Sequence, residues 1–290
     1  MRRMYFIGVT TGASSIHDFF ERWAELACIQ DAVLMGIDLQ PGAPPTIYRG
    51  VVSAIQNDPD ACGALVTTHK TAVYEHARDL FAEFDSNAGA LREVSCITRA
   101  GSGLAGAAID PLACSLALRA IYGGQPFRGD ALILGAGGAA VALAAALFRE
   151  HRPAGVTLTE ISRARFEAVR SLTPAQCLLV KTPEDHDRLI ARLPEGALFV
   201  NATGMGKDRP GTPVTCGVRF PPNSVAWDLN YRGDLSFLDY ARAGGISAVD
   251  GWELFLHGWS QIMSRVFRFA LTPELFASMR ATSETARRIV

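Results

Sequence analysis

The chain has 290 residues, room for two domains or one large one. Its 49% hydrophobic and 20% charged content is that of a soluble globular protein, and a formal charge of −1 gives no electrostatic footing for a nucleic acid or an anionic membrane surface. Six scattered cysteines, with no CxxC pair and no zinc-type His spacing, point away from a disulfide framework or a metal and toward apolar fillers in a reducing, cytoplasmic compartment.

Residues 4–9 read as a first buried strand, and the apolar run that follows Arg2 and Arg3 is too short for a secretion signal. Ser14 or Ser15 can cap a helix that carries Phe19, Phe20, Trp23, Leu26 and Ala27 at helical spacing. Residues 32–38 form a second strand, 51–55 fall in a short helix, and 63–67 form a third strand ending in Thr68, His69 and Lys70. A helical pattern runs from Val73 to Phe84, and residues 93–98 with 103–106 suggest a hairpin around Ala100, Gly101 and Ser102. Asp110 and Pro111 open a helix through Leu112, Leu116, Leu118 and Ile121, with an acid at the N-cap and a proline at the first helical position.

The most informative run is 131–148, a buried strand, a glycine turn and a helix. Gly135 permits a sharp turn, Gly137 lets backbone approach a pyrophosphate, and Gly138 adds looseness. Ala140 is the small residue that lets helix pack on strand. The helix N-terminus offers N–H groups and a positive dipole end to phosphates. A membrane span is the rival reading, which three clustered glycines and the short length oppose. A further strand, 155–159, ends at Glu160, 25 positions after Gly135. An acid there accepts from ribose hydroxyls and repels a 2′-phosphate, which favours NAD over NADP; a solvated strand-end acid is the plain alternative. Strands follow at 177–180, 198–202, 225–229 and 246–250. A helix from Trp252 to Phe269 carries Leu254, Phe255, Trp259, Ile262 and Val266 on one face, and the polar end from 282 to 290 is expected to fray. The alternation predicts an α/β fold with a largely parallel sheet.

Several short stretches carry a resemblance. The segment from Ile7 and Gly8 to Ile16 and His17 is like G-x-P-x-x-H-S-x-S-P-x-x-H. Val66, Thr67, Thr68, His69 and Lys70 are like N-V-T-x-P-x-K, one residue shorter. Glu93, Val94, Ser95 and Cys96 match G-A-V-N-T, and Gly106 through Asp110 and Pro111 match G-x-N-T-D-G. Asn201, Ala202 and Thr203 stand as N-A-T, Asp228 with Tyr231 as D-x-x-Y, and Asp250 with Gly251 opens D-G-x-x-M-L. In this order, and over nearly the whole chain, they resemble the quinate/shikimate dehydrogenase family, whose members serve aromatic amino acid biosynthesis.

The resemblance implies two domains: an α/β substrate-binding domain of residues 1–109 plus 251–290, and a Rossmann-type dinucleotide-binding domain of residues 110–250. It implies an NAD(P)-dependent alcohol dehydrogenase with Lys70 as acid/base and Asp110 orienting it. It places substrate contacts at Thr11, Ala13, Thr67, Ser95, Tyr231 and His257. Cofactor contacts fall at Gly135, Ala136, Gly137, Gly138, Ala139, Glu160, Asn201, Ala202, Thr203 and Gly251. A neighbouring carboxylate raises a lysine's pKa while desolvation lowers it, so the balance at Lys70 is open. Read without the resemblance, Lys70 is a solvated strand-end lysine, Asp110 an N-cap, His69 a loop residue and Tyr231 a packing residue.

Departures from the family pattern speak to substrate. Thr11 and Ala13 stand where two serines hold a carboxylate, Leu65 and Ser95 stand for two asparagines, and Gly258, beside His257, stands for a glutamine. A site stripped of such partners discriminates against a polyhydroxylated acid. The expectation is therefore an atypical pocket for a small cyclic alcohol or ketone, less polar or larger than shikimate. Glu160, Ile161 and Ser162 replace the N-R-T of NADP-using members, again favouring NAD, with Arg163 and Arg165 near enough to keep NADP open. A true shikimate or quinate dehydrogenase and a catalytically silent NAD-binding sensor are the alternatives. A monomer or homodimer is expected, with no nucleic-acid or membrane partner.

Overall fold

In the computed structural model, which describes residues 1–101, 103–207 and 209–287, the chain divides into two units. One is Met1–Ile109 with the segment from Gly258, and the other is Asp110–His257. The fold is α/β in both.

The first unit begins with β1 (Arg2–Gly8), α1 (Phe20–Leu26), β2 (Ala32–Asp38), α2 (Pro45–Asn57), β3 (Ala61–Val66) and α3 (Lys70–Ala77). It continues with β4 (Phe81–Phe84), α4 (Ser86–Leu91), β5 (Cys96–Ala100) and β6 (Gly103–Ala107). The sheet order is β2-β1-β3-β5-β6-β4, with β5 antiparallel to both β3 and β6. Ile7, Val66, Ile97 and Leu104 from the sheet, with Val94 just before β5, pack with Val52 and Ile55 of α2 and with Val73 and Ala77 of α3. The hairpin predicted around Ala100 is β5–β6; its Ser102 lies outside the described residues.

Two local expectations change in this unit. The helix predicted to reach Phe84 stops at Ala77, and β4 pairs with β6, Phe81 opposite Leu104. The reason is packing: Gly106, where a Cβ would lie 2.7 Å from the Phe84 ring, leaves room for that side chain, and the Phe81 and Phe84 rings meet at a tilt with centroids 5.1 Å apart. The helix expected from Ser14 instead begins at Phe20, after two 3-10 turns, Thr11–Ala13 and Ser15–Asp18, where Ser14 makes no capping bond. Thr11 is held by Asp38, which accepts from its N–H at 2.8 Å and its hydroxyl at 2.6 Å, and this fixes the segment in a tighter turn.

The second unit starts with α5 (Asp110–Ile121), β7 (Asp130–Leu134), α6 (Gly138–Glu150), β8 (Gly155–Glu160), α7 (Arg163–Arg170), β9 (Gln176–Leu179) and α8 (Pro183–Ile190). Then come β10 (Leu198–Asn201), β11 (Val225–Asp228), α9 (Ser236–Ala243) and β12 (Ser247–Val249). All strand pairs are parallel, in the order β12-β11-β10-β7-β8-β9. Renumbered within the unit this is 3-2-1-4-5-6, the doubly wound dinucleotide-binding topology, whose switch point falls between β7 and β10. Leu132, Leu134, Phe199 and Ala226 from the sheet pack on Phe237, Leu238 and Ala241 of α9.

The unit boundary lies inside α10 (Trp252–Phe267), which is followed by α11 (Pro273–Arg287). The polar end expected to fray is helical through Arg287; residues 288–290 lie outside the described residues. The buried Trp23 indole donates to the Met279 carbonyl at 2.9 Å and to the Ser283 hydroxyl at 3.0 Å, so a distant aromatic orders this helix. Among the described residues no helix is long and apolar enough to cross a membrane.

Candidate active site

The glycine turn sits at the switch point. Gly135 follows β7 with φ +100°, a conformation costly for any residue with a Cβ. A Cβ there would lie 2.9 Å from the Ala202 carbonyl oxygen and 3.2 Å from the Thr203 Cα, so the turn also packs against the end of β10. Gly137 is the N-cap of α6 with φ −73°, and the nearest atom to a Cβ there is an Arg165 nitrogen at 3.6 Å. Its backbone conformation therefore does not require glycine. Gly138 and Ala139 form the first helical positions behind it. A cavity of about 400 Å³ opens beside the turn, lined by Gly135, Ala136, Gly137, Glu160, Arg165 and Thr203, among others.

Glu160 closes β8 and is 7% exposed. Its Oε1 accepts from the N–H groups of Ile161 at 2.8 Å and Ser162 at 2.9 Å, while Oε2 lies 3.4 Å from Arg165 Nε. The carboxylate is thus fixed at the cavity rim, and the solvated reading does not describe it. Arg209 lines the same cavity.

Asn201 braces the loop after β10. Its amide donates to Asp228 Oδ2 at 2.8 Å and to the Met205 carbonyl at 3.3 Å, and its oxygen accepts from the Thr203 hydroxyl at 2.7 Å. Asp228 is fully buried, and burial pushes its carboxyl up to about 6 against the hydrogen bonds from Asn201 and Asn230. Gly251 is needed for a close approach, since a Cβ would run into the Leu229 carbonyl. Tyr231 packs against Trp252 and Phe255, with ring centroids 5.4 and 4.6 Å away. His257 is 8% exposed, with Nε2 at 3.9 Å from Glu253 Oε2 one turn earlier.

In the first unit, Lys70 is the first residue of α3, at the i, i+3, i+7 spacing of one helical face with the buried Val73 and Ala77. The Val94 N–H donates to its carbonyl at 3.1 Å, which brings the 2%-exposed Glu93 to the start of the same helix. His69 is 3% exposed; its Nε2 lies 3.0 Å from the Leu39 carbonyl and its Nδ1 3.2 Å from the Tyr48 hydroxyl, so both ring nitrogens are used in holding the fold. Thr67 donates its hydroxyl to the Ile7 carbonyl at 3.2 Å. The buried Ser95 hydroxyl oxygen accepts from the Ile109 N–H at 2.7 Å, directly before Asp110, the first residue of α5. Ala13 is exposed in its 3-10 turn, and His17 Nε2 lies 3.1 Å from the Thr11 carbonyl.

No protein-family model matches the chain. A Methylocella silvestris protein, shikimate dehydrogenase (NADP(+)), is 33% identical over 168 residues, 57% of this chain and 58% of that one, so the match spans little over half of that relative's length. Its namesake from Methylobacterium radiotolerans is 31% identical over 230 residues, 76% of each chain. The chain belongs to the shikimate dehydrogenase family. Shikimate 5-dehydrogenase from Thermus thermophilus, solved with NADP(H) and shikimate, superposes with a TM-score of 0.77 at 23% identity over the whole of both chains. Quinate dehydrogenase from Corynebacterium glutamicum, solved with NAD, gives 0.75 at 21% identity over 98% of this chain and 99% of that one. These confirm the α/β fold expected from the resemblance. The family is one of oxidoreductases that use a nicotinamide dinucleotide.

Several of the polar groups singled out in the sequence are engaged within the fold. The Thr11 hydroxyl is donated to Asp38, the Ser95 oxygen receives a backbone N–H, and Ala13 has no hydroxyl. Sequence reasoning missed Thr159 and His186, both lining the cavity beside the glycine turn. No local signal marks them, because His186 reaches the turn from α8, 27 residues after Thr159.

Proposed function

We propose that the chain is an NAD-dependent oxidoreductase that interconverts a small cyclic alcohol and its ketone. The observation that carries this reading is the glycine turn at the β7/β10 switch point, with a fixed acid at the end of the next strand. The residues present fit a dinucleotide: bare backbone at Gly137, the N-terminus of a 13-residue helix, and an ordered carboxylate at the cavity rim. When bound, a nicotinamide dinucleotide supplies the acceptor or donor of hydride. Glu160 holds the adenosine ribose and its charge opposes a 2′-phosphate, which is the basis for NAD over NADP. The cofactor contacts also include Ala136, Gly138, Ala139, Ala202, Thr203 and Gly251.

Lys70 takes the hydroxyl proton in oxidation and returns it to the carbonyl oxygen in reduction, and Asp110 orients it. From the family resemblance, substrate contacts are assigned to Thr67, Ser95, Tyr231 and His257, with Thr11 and Ala13 standing where the family pattern has serines. Internal engagement of Thr11 and Ser95 supports a substrate with fewer polar groups than shikimate, because a pocket with fewer donors loses its grip on a polyhydroxylated acid. A cytoplasmic location goes with this reading.

The test is absorbance of the reduced nicotinamide band with purified protein, NAD or NADP, and a panel of cyclic alcohols that includes shikimate and quinate. Turnover of a less polar cyclic alcohol with NAD is expected. Turnover of shikimate at ordinary enzymatic rates refutes the substrate reading, and NADP preferred tenfold or more refutes the cofactor reading.

A further inference from the structure

Behind the glycine turn runs a buried chain of hydrogen bonds that the proposed reaction does not use. The Gly135 N–H donates to Thr159 Oγ1 at 3.1 Å, Thr159 Oγ1 lies 2.9 Å from His186 Nε2, and His186 Nδ1 lies 2.7 Å from the Pro213 carbonyl. Thr159 is fully buried and His186 is 6% exposed. The directions follow from the end groups. A carbonyl only accepts, so Nδ1 carries the proton toward Pro213. With Nδ1 protonated, the neutral ring accepts at Nε2, so the Thr159 hydroxyl donates to it. That leaves the Thr159 oxygen to accept from Gly135. A doubly protonated ring would instead donate from Nε2 to the Thr159 oxygen alongside the Gly135 N–H, and the buried threonine hydroxyl hydrogen would lose its acceptor and turn away from the ring.

We propose that His186 and Thr159 are positioning residues for dinucleotide binding: a neutral His186 orients the Thr159 hydroxyl, whose oxygen holds the Gly135 N–H and sets the turn that receives the pyrophosphate. The proposal rests on the reading of this cavity as a dinucleotide site. Gly135 has φ +100° and Ala202 behind it, so the held N–H is at the residue with least freedom to compensate.

Charged groups approach the imidazole from α8 and from the cavity. On α8, Asp185 and Asp187 flank the ring, but Asp185 is engaged by the Lys181 and Thr182 N–H groups and by Arg188, and Asp187 by Thr215. At the cavity, Glu160 is engaged by Arg165, and Arg209 adds a further cation. Burial holds the imidazole below its ordinary value, against the two aspartates and the Pro213 carbonyl, which raise it. The neutral ring is thus the resting form at neutral pH.

The experiment measures NAD and NADP binding to the full chain by calorimetry between pH 8 and pH 5. His186→Phe and Thr159→Val should bind about tenfold more weakly at pH 8, whereas Thr159→Ser should bind like the parent. His186→Gln, which offers an acceptor that does not titrate, should bind well with a flat pH profile. The parent's affinity should fall on acidification in step with the His186 imidazole, followed by NMR. Equal affinity of parent, His186→Phe and Thr159→Val at pH 8, or the same pH profile for parent and His186→Gln, overturns the proposal. Should His186→Phe not fold, the His186→Gln profile decides alone. Absence of any dinucleotide binding by the parent at pH 8 instead removes the reading on which the proposal rests.

Discussion

Gly135→Ala is expected to cost stability, whereas Gly137→Ala, two residues on, is expected to cost affinity. At Gly135 the new Cβ meets φ +100°, which an L-residue adopts at a cost of about 1–3 kcal/mol. It also lies 2.9 Å from the Ala202 oxygen and 3.0 Å from the Ala202 carbonyl carbon, both backbone atoms at the end of a central strand. Moving that strand end adds about 1–3 kcal/mol, as overpacking does elsewhere. A total of about 2–6 kcal/mol corresponds to a fall of roughly 4–24 °C in the unfolding temperature of a unit of this size. At Gly137 the backbone has φ −73° and the nearest contact is 3.6 Å, so only a weaker N-cap is lost, about 1 kcal/mol or less. Scanning calorimetry and NAD titration of the two variants separate the effects. If Gly135→Ala unfolds at the parent's temperature, the turn is not packed against β10 as described. If Gly137→Ala binds NAD as tightly as the parent, no pyrophosphate lies against it.

Lys70→Met is expected to lower kcat by at least three orders of magnitude, while NAD affinity stays within twofold, as calorimetry and the reduced-nicotinamide assay would show; retained turnover excludes Lys70 as the acid/base. Glu160→Gln keeps an oxygen for the Ile161 and Ser162 N–H groups and removes the charge, so the NAD-to-NADP ratio of kcat/KM is expected to fall by roughly tenfold, or about 1.4 kcal/mol. An unchanged ratio assigns cofactor choice to other groups. Asp228 has a carboxyl pushed up to about 6 by burial from an ordinary 3.8. The native state therefore binds more protons than the unfolded chain between those values, and this contribution to stability, about 3 kcal/mol, is full below pH 3.8 and is lost as pH rises through about 6. The stability difference between parent and Asp228→Asn, measured by urea unfolding, should accordingly shift against the parent by up to that amount from pH 4 to pH 7. A difference constant with pH contradicts a raised carboxyl at this position.

Much of the framework could be read from neighbouring residues. Asp110 and Pro111 do begin α5, and the apolar runs around Ile133, Leu158, Phe199 and Trp227 are strands. The glycine turn was legible because Gly135 answers a local demand of the backbone, a positive φ directly after a strand. The site was legible only in part. Glu160 was found from its spacing, but its two backbone donors and its pairing with Arg165 were not. The sequence also suggested a helix to Phe84, where pairing with β6 prevailed over periodicity, and a frayed end, where Trp23 reaches Met279 and Ser283.

By itself, then, the sequence determined the alternation of strands and helices, the position of the phosphate-type turn and the family pattern around Lys70 and Asp110. Those features depend on φ preferences, caps and hydrophobic periods among residues a few positions apart. The tertiary structure alone decided the strand order that puts Gly135 beside Ala202, and the partners that link Gly135 to His186 and Asn201 to Asp228. Such contacts join residues separated by dozens of positions, and their energies arise only once the chain path has brought them together.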